Sequence, residues 1–404
     1  MVSRRNILKL GAGSCAGVFM PNILHANNTP IRLGEINSYI PKLEMSRDPY
    51  RRGWLLALEE INARGGVKGR KIEVISRNDE GNSDNAASLA EFLVEKEGAG
   101  FLFGSFFSNI AITLSKTANE MQIPFLATEA RSDSITWEGG TKYTFSMRPN
   151  TYMLAKMLVN EAARLPVNRW ACIVPDYNFG HTAVKHFKNS MSETRPDIQW
   201  VHDEWPPLFG INANQVIERM KDKNIEAIFN ATYAGDLQKL IDVSARKNFF
   251  KGKSVVSLFA GEPEFKEAVA SPVCNGWIVT GYPWQQVKTN THMAFVKKFQ
   301  NRFAENPTQS ALSGYIALNA IAAAYQISDD VTPDALVKAM KNLYFDSPLG
   351  TIRFREQDHQ SSMGAFVGKL EYREGQSQMR DWYYADGTDY WHNDSQVRLM
   401  RPQP

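Results

Sequence analysis

Residues 100–131, GFLFGSFFSNIAITLSKTANEMQIPFLATEAR, decide the fold. The apolar runs are short and each gives way to polar or glycine residues. Residues 101–103 predict a buried strand, 104–108 a loop, about 109–121 a helix, 123–127 a second strand and 128–131 a second loop. Ala111, Leu114, Ala118 and Met121 share one helical face. A strand, crossover helix and strand form a right-handed unit whose two loops leave the strand carboxyl ends side by side, where open α/β sheets bind ligands. Ser108 and Asn109 are expected at the helix N-cap, placing a hydroxyl, an amide and unpaired backbone N–H groups in one crevice. A helix start is also a ready anion site; the alternative is that Ser108 does no more than cap its own helix.

Upstream, 31–36 reads as a strand, 37–48 as a polar loop and 50–66 as a helix with Trp54, Leu55, Leu58 and Ile61 on one face, stopped by Gly65-Gly66. A second strand at 71–76 and a helix carrying Ala86, Leu89, Ala90, Leu93 and Val94 complete three βα steps. After a strand at 143–146, the run MRPN at 147–150 interrupts the pattern. A second series follows, with strands WACIVP, DIQWVH, EAIFN and VVSLF alternating with helices. Beyond Gly276 come the strand WIVTGY, helices near 292–303, 310–327 and 333–343, then short strands TIRF, GAFVGKLEY and RDWYYAD before a polar end. Thr332 with Pro333 is a good N-cap and first-turn pair. The series resets near 148, 280 and 348, which predicts two lobes joined by several crossings around a shared cleft, with no low-complexity linker.

A chain of 404 residues is too long for one ordinary core and suits two domains. Its formal charge of +3 is matched by Arg4, Arg5 and Lys9 within a first 26 residues that contain no acid, so the rest is formally neutral and nothing points to nucleic acid. Residues 1–26 read as an export signal, with cleavage expected after Ala26, and SRRNILK at 3–9 looks like a twin-arginine address; an ordinary secretory signal is the alternative. No later window holds 18 uninterrupted apolar residues, the length a spanning helix needs. Beyond the signal only Cys172 and Cys274 remain: they either pair in an oxidising compartment or, as Cys172 in WACIV suggests, sit buried as small side chains.

The mature chain resembles the type I periplasmic solute-binding proteins of ABC importers, in the branched-chain amino acid (leucine/isoleucine/valine-binding) group. The resemblance is carried by ALEEINARGGVKGRKIEVISRNDEGNSDNAAS at 57–88, FLFGSFFSN, IPFLATEA, VPDYNFG, AIFNATYAGDL and YIALNAIAAA. It implies an α/β fold of two Rossmann-like lobes with mainly parallel sheets, joined by a multi-strand hinge. The expected division is 27–148 with 282–347 for lobe 1 and 149–281 with 348–404 for lobe 2. A small ligand would be trapped between the lobes and delivered to an inner-membrane ABC permease by a periplasmic protein, exported by the twin-arginine machinery and expected to be a monomer without cofactor.

Residue by residue, the resemblance puts the carboxylate-binding serine at Ser108, beside Asn109, and the next loop at 129–131. There Glu129 and Arg131 replace a neutral sequence. From the other lobe it gives Phe179, Tyr233 and, for an ammonium, the acidic Glu262. A zwitterion needs donors at one end and a carboxylate at the other. Ser108 with helix-start amides suits the first, and Glu262 or Glu129 the second. Arg131 either clamps a ligand carboxylate, which favours an organic acid, or pairs with Glu129 or another acid at the rim. Phe106, Phe107, Tyr177, Phe179, Tyr233 and Trp284 are candidates for a partly aromatic pocket, with about half expected to touch ligand. His181 and His186 are five apart with no ligand pattern around them, so no metal is expected. No nucleophile elbow, phosphate-cradling glycine loop or paired-Cys motif supports an enzyme. A ligand sensor of the same fold is the alternative to transport.

Overall fold

A computed structural model of the chain describes residues 29–401, so the export-signal reading of 1–26 lies outside the described residues. The first sheet has the order β2-β1-β3-β4-β5 and is wholly parallel, built from β1 (Ile31–Asn37), β2 (Ile72–Asn78), β3 (Phe101–Gly104), β4 (Phe125–Ala127) and β5 (Thr144–Ser146). Between these strands run α1 (Glu44–Ala63), α2 (Ser83–Glu95) and α3 (Ser108–Glu120). Every residue of β3 and β4 is buried, as expected of parallel strands covered on both faces.

The chain then leaves through α4 (Thr151–Ala162) and builds β6 (Arg169–Ile173), α5 (Asn178–Thr194), β7 (Gln199–Glu204), α6 (Ala213–Met220), β8 (Ala227–Asn230), α7 (Ala234–Lys247), β9 (Ser254–Gly261) and β10 (Ile278–Gly281). It returns to the first lobe as α8 (Asn290–Phe303), α9 (Gln309–Ile327) and α10 (Pro333–Met340). The hairpin β11 (Tyr344–Ser347) with β12 (Gly350–Arg353) follows, then β13 (Ala365–Arg373), β14 (Gln376–Ala385) and α11 (Asp394–Met400). The second sheet reads β14-β13-β10-β9-β8-β6-β7, parallel except for the antiparallel β13 and β14 at one edge. This is the two-lobed α/β architecture read from the sequence.

Helix α9 is buried almost all round and lies directly on α1. Glycines on both helices permit the approach. A Cβ on Gly53 would stand 1.9 Å from the Ala311 carbonyl oxygen, and one on Gly314 would stand 2.2 Å from that of Tyr50.

Three local expectations are corrected. Helix α1 starts at Glu44, inside the expected polar loop, and runs through Pro49, which lies early enough to remove only a bond near the helix start. Strand β11 begins just past the expected helix end at 343, where no element is predicted, and helix α11 occupies the expected polar tail, because their apolar faces are too short to show a period. Cys172 and Cys274 are both free and buried, so the pairing alternative fails and the small-buried-residue reading of Cys172 holds.

Candidate functional site

Both parallel sheets send their carboxyl-end loops toward one cleft. From the first lobe come Ser105–Ser108 after β3, the segment from Thr128 to Ser132 after β4, and Arg148 after β5. From the second come Tyr177 after β6, Tyr233 after β8, and Phe259, Glu262 and Phe265 at the end of β9 and just beyond. Between them lies a narrow cavity of about 30 Å³. Ser108, Glu129, Arg131, Phe179, Tyr233 and Glu262 all line it. Asn109 does not: it is exposed, bonds Ser83 Oγ through Nδ2 at 3.1 Å and lines a neighbouring apolar groove with Phe107 and Phe209. Phe106 and Tyr177 join the pocket, whereas Trp284 lies beside α8, away from it.

Ser108 is the first helical residue rather than the N-cap, which is Phe107. Its Oγ accepts the Ser132 N–H at 3.2 Å, tying together the loops after β3 and β4, so it does not cap its own helix. Its hydroxyl proton has no acceptor among the described residues. Helices α5 and α7 likewise start behind Tyr177 and Tyr233 as N-caps, without side-chain capping bonds. By contrast α2, α4, α6, α9 and α11 are capped by Asn82, Asn150, Asn212, Thr308 and Asn393. The three helix starts at the pocket therefore keep their N–H groups and partial positive charge available to it.

A chain of buried charges crosses the cleft floor. Arg148 donates through Nη1 to Glu129 Oε1 at 3.0 Å and to Ser313 Oγ at 3.0 Å, and through Nη2 to Glu262 Oε1 at 3.1 Å. Arg131 donates through Nη2 to the same Glu262 oxygen at 3.0 Å and stacks its guanidinium 3.9 Å over the Phe259 ring. That is the side chain's only hydrogen bond among the described residues, although Arg131 is only 9% exposed. Burial, helped by the like charge of Arg148, lowers the Arg131 pKa. Burial also opposes the charge on Arg148, but Glu129, Glu262 and Glu264 outweigh it and raise that pKa. Glu264 accepts the backbone N–H groups of Gln309 at 3.2 Å and Ser310 at 2.6 Å, so one lobe caps a helix of the other. Burial, with Glu262 nearby, pushes its pKa up to about 7.

Aromatic rings form the remaining wall. The Tyr177 and Tyr233 hydroxyls are 3.1 Å apart, and Phe106 from the first lobe lies 6.0 Å from the Tyr233 ring. Phe179 stacks at a tilt on Phe259, 5.4 Å away. Ser105, Ala234 and Phe259 hold positive φ values of 70°, 51° and 67° around the pocket. Such residues cost roughly 1–2 kcal/mol each, and they cluster where loop geometry is fixed for a ligand.

Arg148 is the buried charge of the cleft floor that sequence reasoning misses. Its signal is a charge within MRPN, at a strand carboxyl end between two apolar elements. Ser46, Phe259 and Phe265 also line the pocket and carry no motif.

The periplasmic binding protein family model matches residues 30–376. The chain belongs to that family. Members are solute-binding proteins, not enzymes, and a small-molecule ligand and an ABC permease are the partners that fit. This periplasmic binding protein is 24% identical over 309 residues to Leu/Ile/Val-binding protein homolog 7 of Brucella abortus, covering 72% of this chain and 75% of that one. Homolog 8 of the same species is 22% identical, with 83% and 86% covered. Among solved structures, an amino acid ABC transporter substrate-binding protein from Pseudomonas fluorescens Pf-5 superposes with a TM-score of 0.80 at 19% identity, covering 91% and 98%. A solute-binding protein of an ABC transporter from Rhodopseudomonas palustris BisB5, in complex with 3,4-dihydroxybenzoic acid, gives 0.77 at 20% identity, covering 88% and 98%. The group read from the sequence and the fold are thus borne out. No helix among the described residues is long and apolar enough to cross a membrane.

Proposed function

We propose that this chain is the substrate-binding component of an ABC importer, capturing a small carboxylate between its lobes in the periplasm and presenting the closed form to a permease. The observation that carries the reading is Arg131: a nearly buried guanidinium with one hydrogen bond to protein, lining the interlobe pocket that Ser108 also lines. A guanidinium with open donors matches a carboxylate's planar geometry. The lobes are taken as 27–148 with 282–347 and 149–281 with 348–404. Closure about the crossings between them adds the contacts of Phe179, Tyr233 and Glu262 to those of Ser108, Glu129 and Arg131. Periplasmic binding proteins are themselves a well-known example of hinge closure around a ligand, so this motion is inherited from the family. Export by the twin-arginine machinery rests on residues 3–9 alone. The benzoate-type and amino-acid ligands of the relatives support a carboxylate as the shared element.

Thermal-shift measurement of the mature protein against amino acids, aromatic acids, dicarboxylates, amides and sugars tests this, because a ligand that binds only the folded state raises its stability. At least one carboxylate is expected to raise the midpoint. Shifts confined to amides or sugars would overturn the reading.

A further inference from the structure

We infer that the ligand is longer than the cavity around Arg131 and that the apolar groove beside this cavity is the outer half of the same site. The occupant is an elongated carboxylate with an unbranched aliphatic chain, and Phe209 is the side chain that divides cavity from groove. This rests on the carboxylate reading above and extends it.

The two spaces differ in size and character. The cavity of about 30 Å³ has room for about two water molecules, enough for a carboxyl head beside Arg131 and little more. The groove measures about 500 Å³ and is lined mainly by apolar side chains, among them Ile40, Pro41, Phe107, Leu208 and Phe209. Tyr177 lines both spaces, and Phe106 of the cavity meets Phe107 of the groove edge to face at 5.3 Å. One wall therefore runs on from cavity to groove. The groove's two charges, Lys42 and Glu80, are exposed and opposite in sign, so they offer no net site for a second charged group.

The groove also spans the lobes as the cavity does. Ile40 and Pro41 follow β1 and Phe107 follows β3, whereas Tyr177 follows β6 and Leu208 and Phe209 follow β7. These are again loops at strand carboxyl ends, where open α/β sheets receive their ligands. Continuity with the ligand cavity is what a ligand's own chain requires and what a permease segment does not.

Phe209 stands at the boundary. Its ring lies edge to face with Tyr233 of the cavity at 5.8 Å and with Phe107 at 6.0 Å, and the Lys42 ammonium lies 5.5 Å over it. Its φ of 59° is a left-handed value that strains a bulky residue. Asp236 anchors the turn by accepting the Ile211 N–H at 3.3 Å, while Phe209 itself is only half-buried. Such a ring can swing out without disturbing the core, and a chain passing in its place makes the dispersion contacts that the ring gives up.

The test is a calorimetric titration of the wild-type mature protein with butanoate, hexanoate, octanoate and decanoate, with octanol as the control for the head group. Each methylene buried in the groove tightens binding by up to about fourfold, so octanoate is expected to bind at least about tenfold tighter than butanoate. In Asn109→Trp, which places a bulky ring in the groove, that ratio should fall toward one. In Phe209→Ala it should rise, because no ring has to be displaced. A flat wild-type series, or binding of compact branched or aromatic acids with none of the series, overturns the inference and leaves the carboxylate reading standing. Octanol binding as tightly as octanoate overturns that reading and this inference together. An unchanged ratio in folded Asn109→Trp removes the groove from the explanation, and one in folded Phe209→Ala removes Phe209 as the partition. The wild-type series decides the ligand class even where neither variant folds.

Discussion

Glu264, on the loop after β9, accepts the backbone N–H of Ser310 at 2.6 Å, so the second lobe supplies a carboxylate to the first turn of a helix packed on the first. The contact is expected to form as the lobes close. A side-chain cap contributes about 1 kcal/mol. Glu264→Ala should therefore weaken ligand binding roughly five- to tenfold, since a ligand binds by favouring the closed form. Calorimetric titration with the tightest carboxylate found checks this. An unchanged Kd would mean that the contact does not contribute to closure.

Arg131→Met removes the open guanidinium while Glu262 keeps its bond to Arg148. A hydrogen bond to a charged group contributes about 1.5–3 kcal/mol, so affinity for a carboxylate should fall roughly tenfold to a hundredfold. Titration calorimetry reads the loss, with the melting midpoint as the control for folding. Wild-type affinity in a folded variant would take Arg131 out of the binding site.

Glu35 is fully buried beside Tyr39 and Ser76, and burial pushes its pKa up to about 8 against the hydrogen bonds of those two residues. The native state then holds a proton that the unfolded chain releases near 4.5. Stability from this group is complete below the unfolded value and is lost as pH rises toward about 8. Glu35→Gln, which keeps the shape without the charge, should melt higher than wild type at pH 8 and show no such gain at pH 5. Differential scanning calorimetry at the two pH values decides it, and an equal difference at both would contradict the assignment.

Burial raises the pKa of both Cys172 and Cys274, the latter to about 12. A thiolate is the reactive form. Neither cysteine should react with a thiol-specific reagent in the native protein, and both should titrate once it is denatured. Reductant should leave the melting midpoint of the mature protein unchanged. Rapid native labelling of either would contradict their burial.

Much of the site is legible in the chain because parallel α/β folds place ligand loops at strand carboxyl ends, and those ends are marked by where apolar runs stop. Ser108, Glu129, Arg131, Phe179, Tyr233 and Glu262 are found in that way or through the family motifs, and all line one pocket. Asn109 lies one helical step beyond Ser108, and a step of about 100° turns it out of the pocket. Arg148 escapes because MRPN looks like a mere break in the pattern.

The amino-acid sequence by itself determined the two sheets, the order of their elements and the family, because strand and helix periods and glycine-marked turns are local properties. Tertiary structure alone decided the pairing of charges. Whether Arg131 faced a ligand or a protein carboxylate depended on Glu262, 131 residues away, and on Arg148 sharing the same oxygen. Those distances are fixed only when the chain crosses between the lobes and brings their loops together, and electrostatic preference depends on separation in space rather than along the sequence.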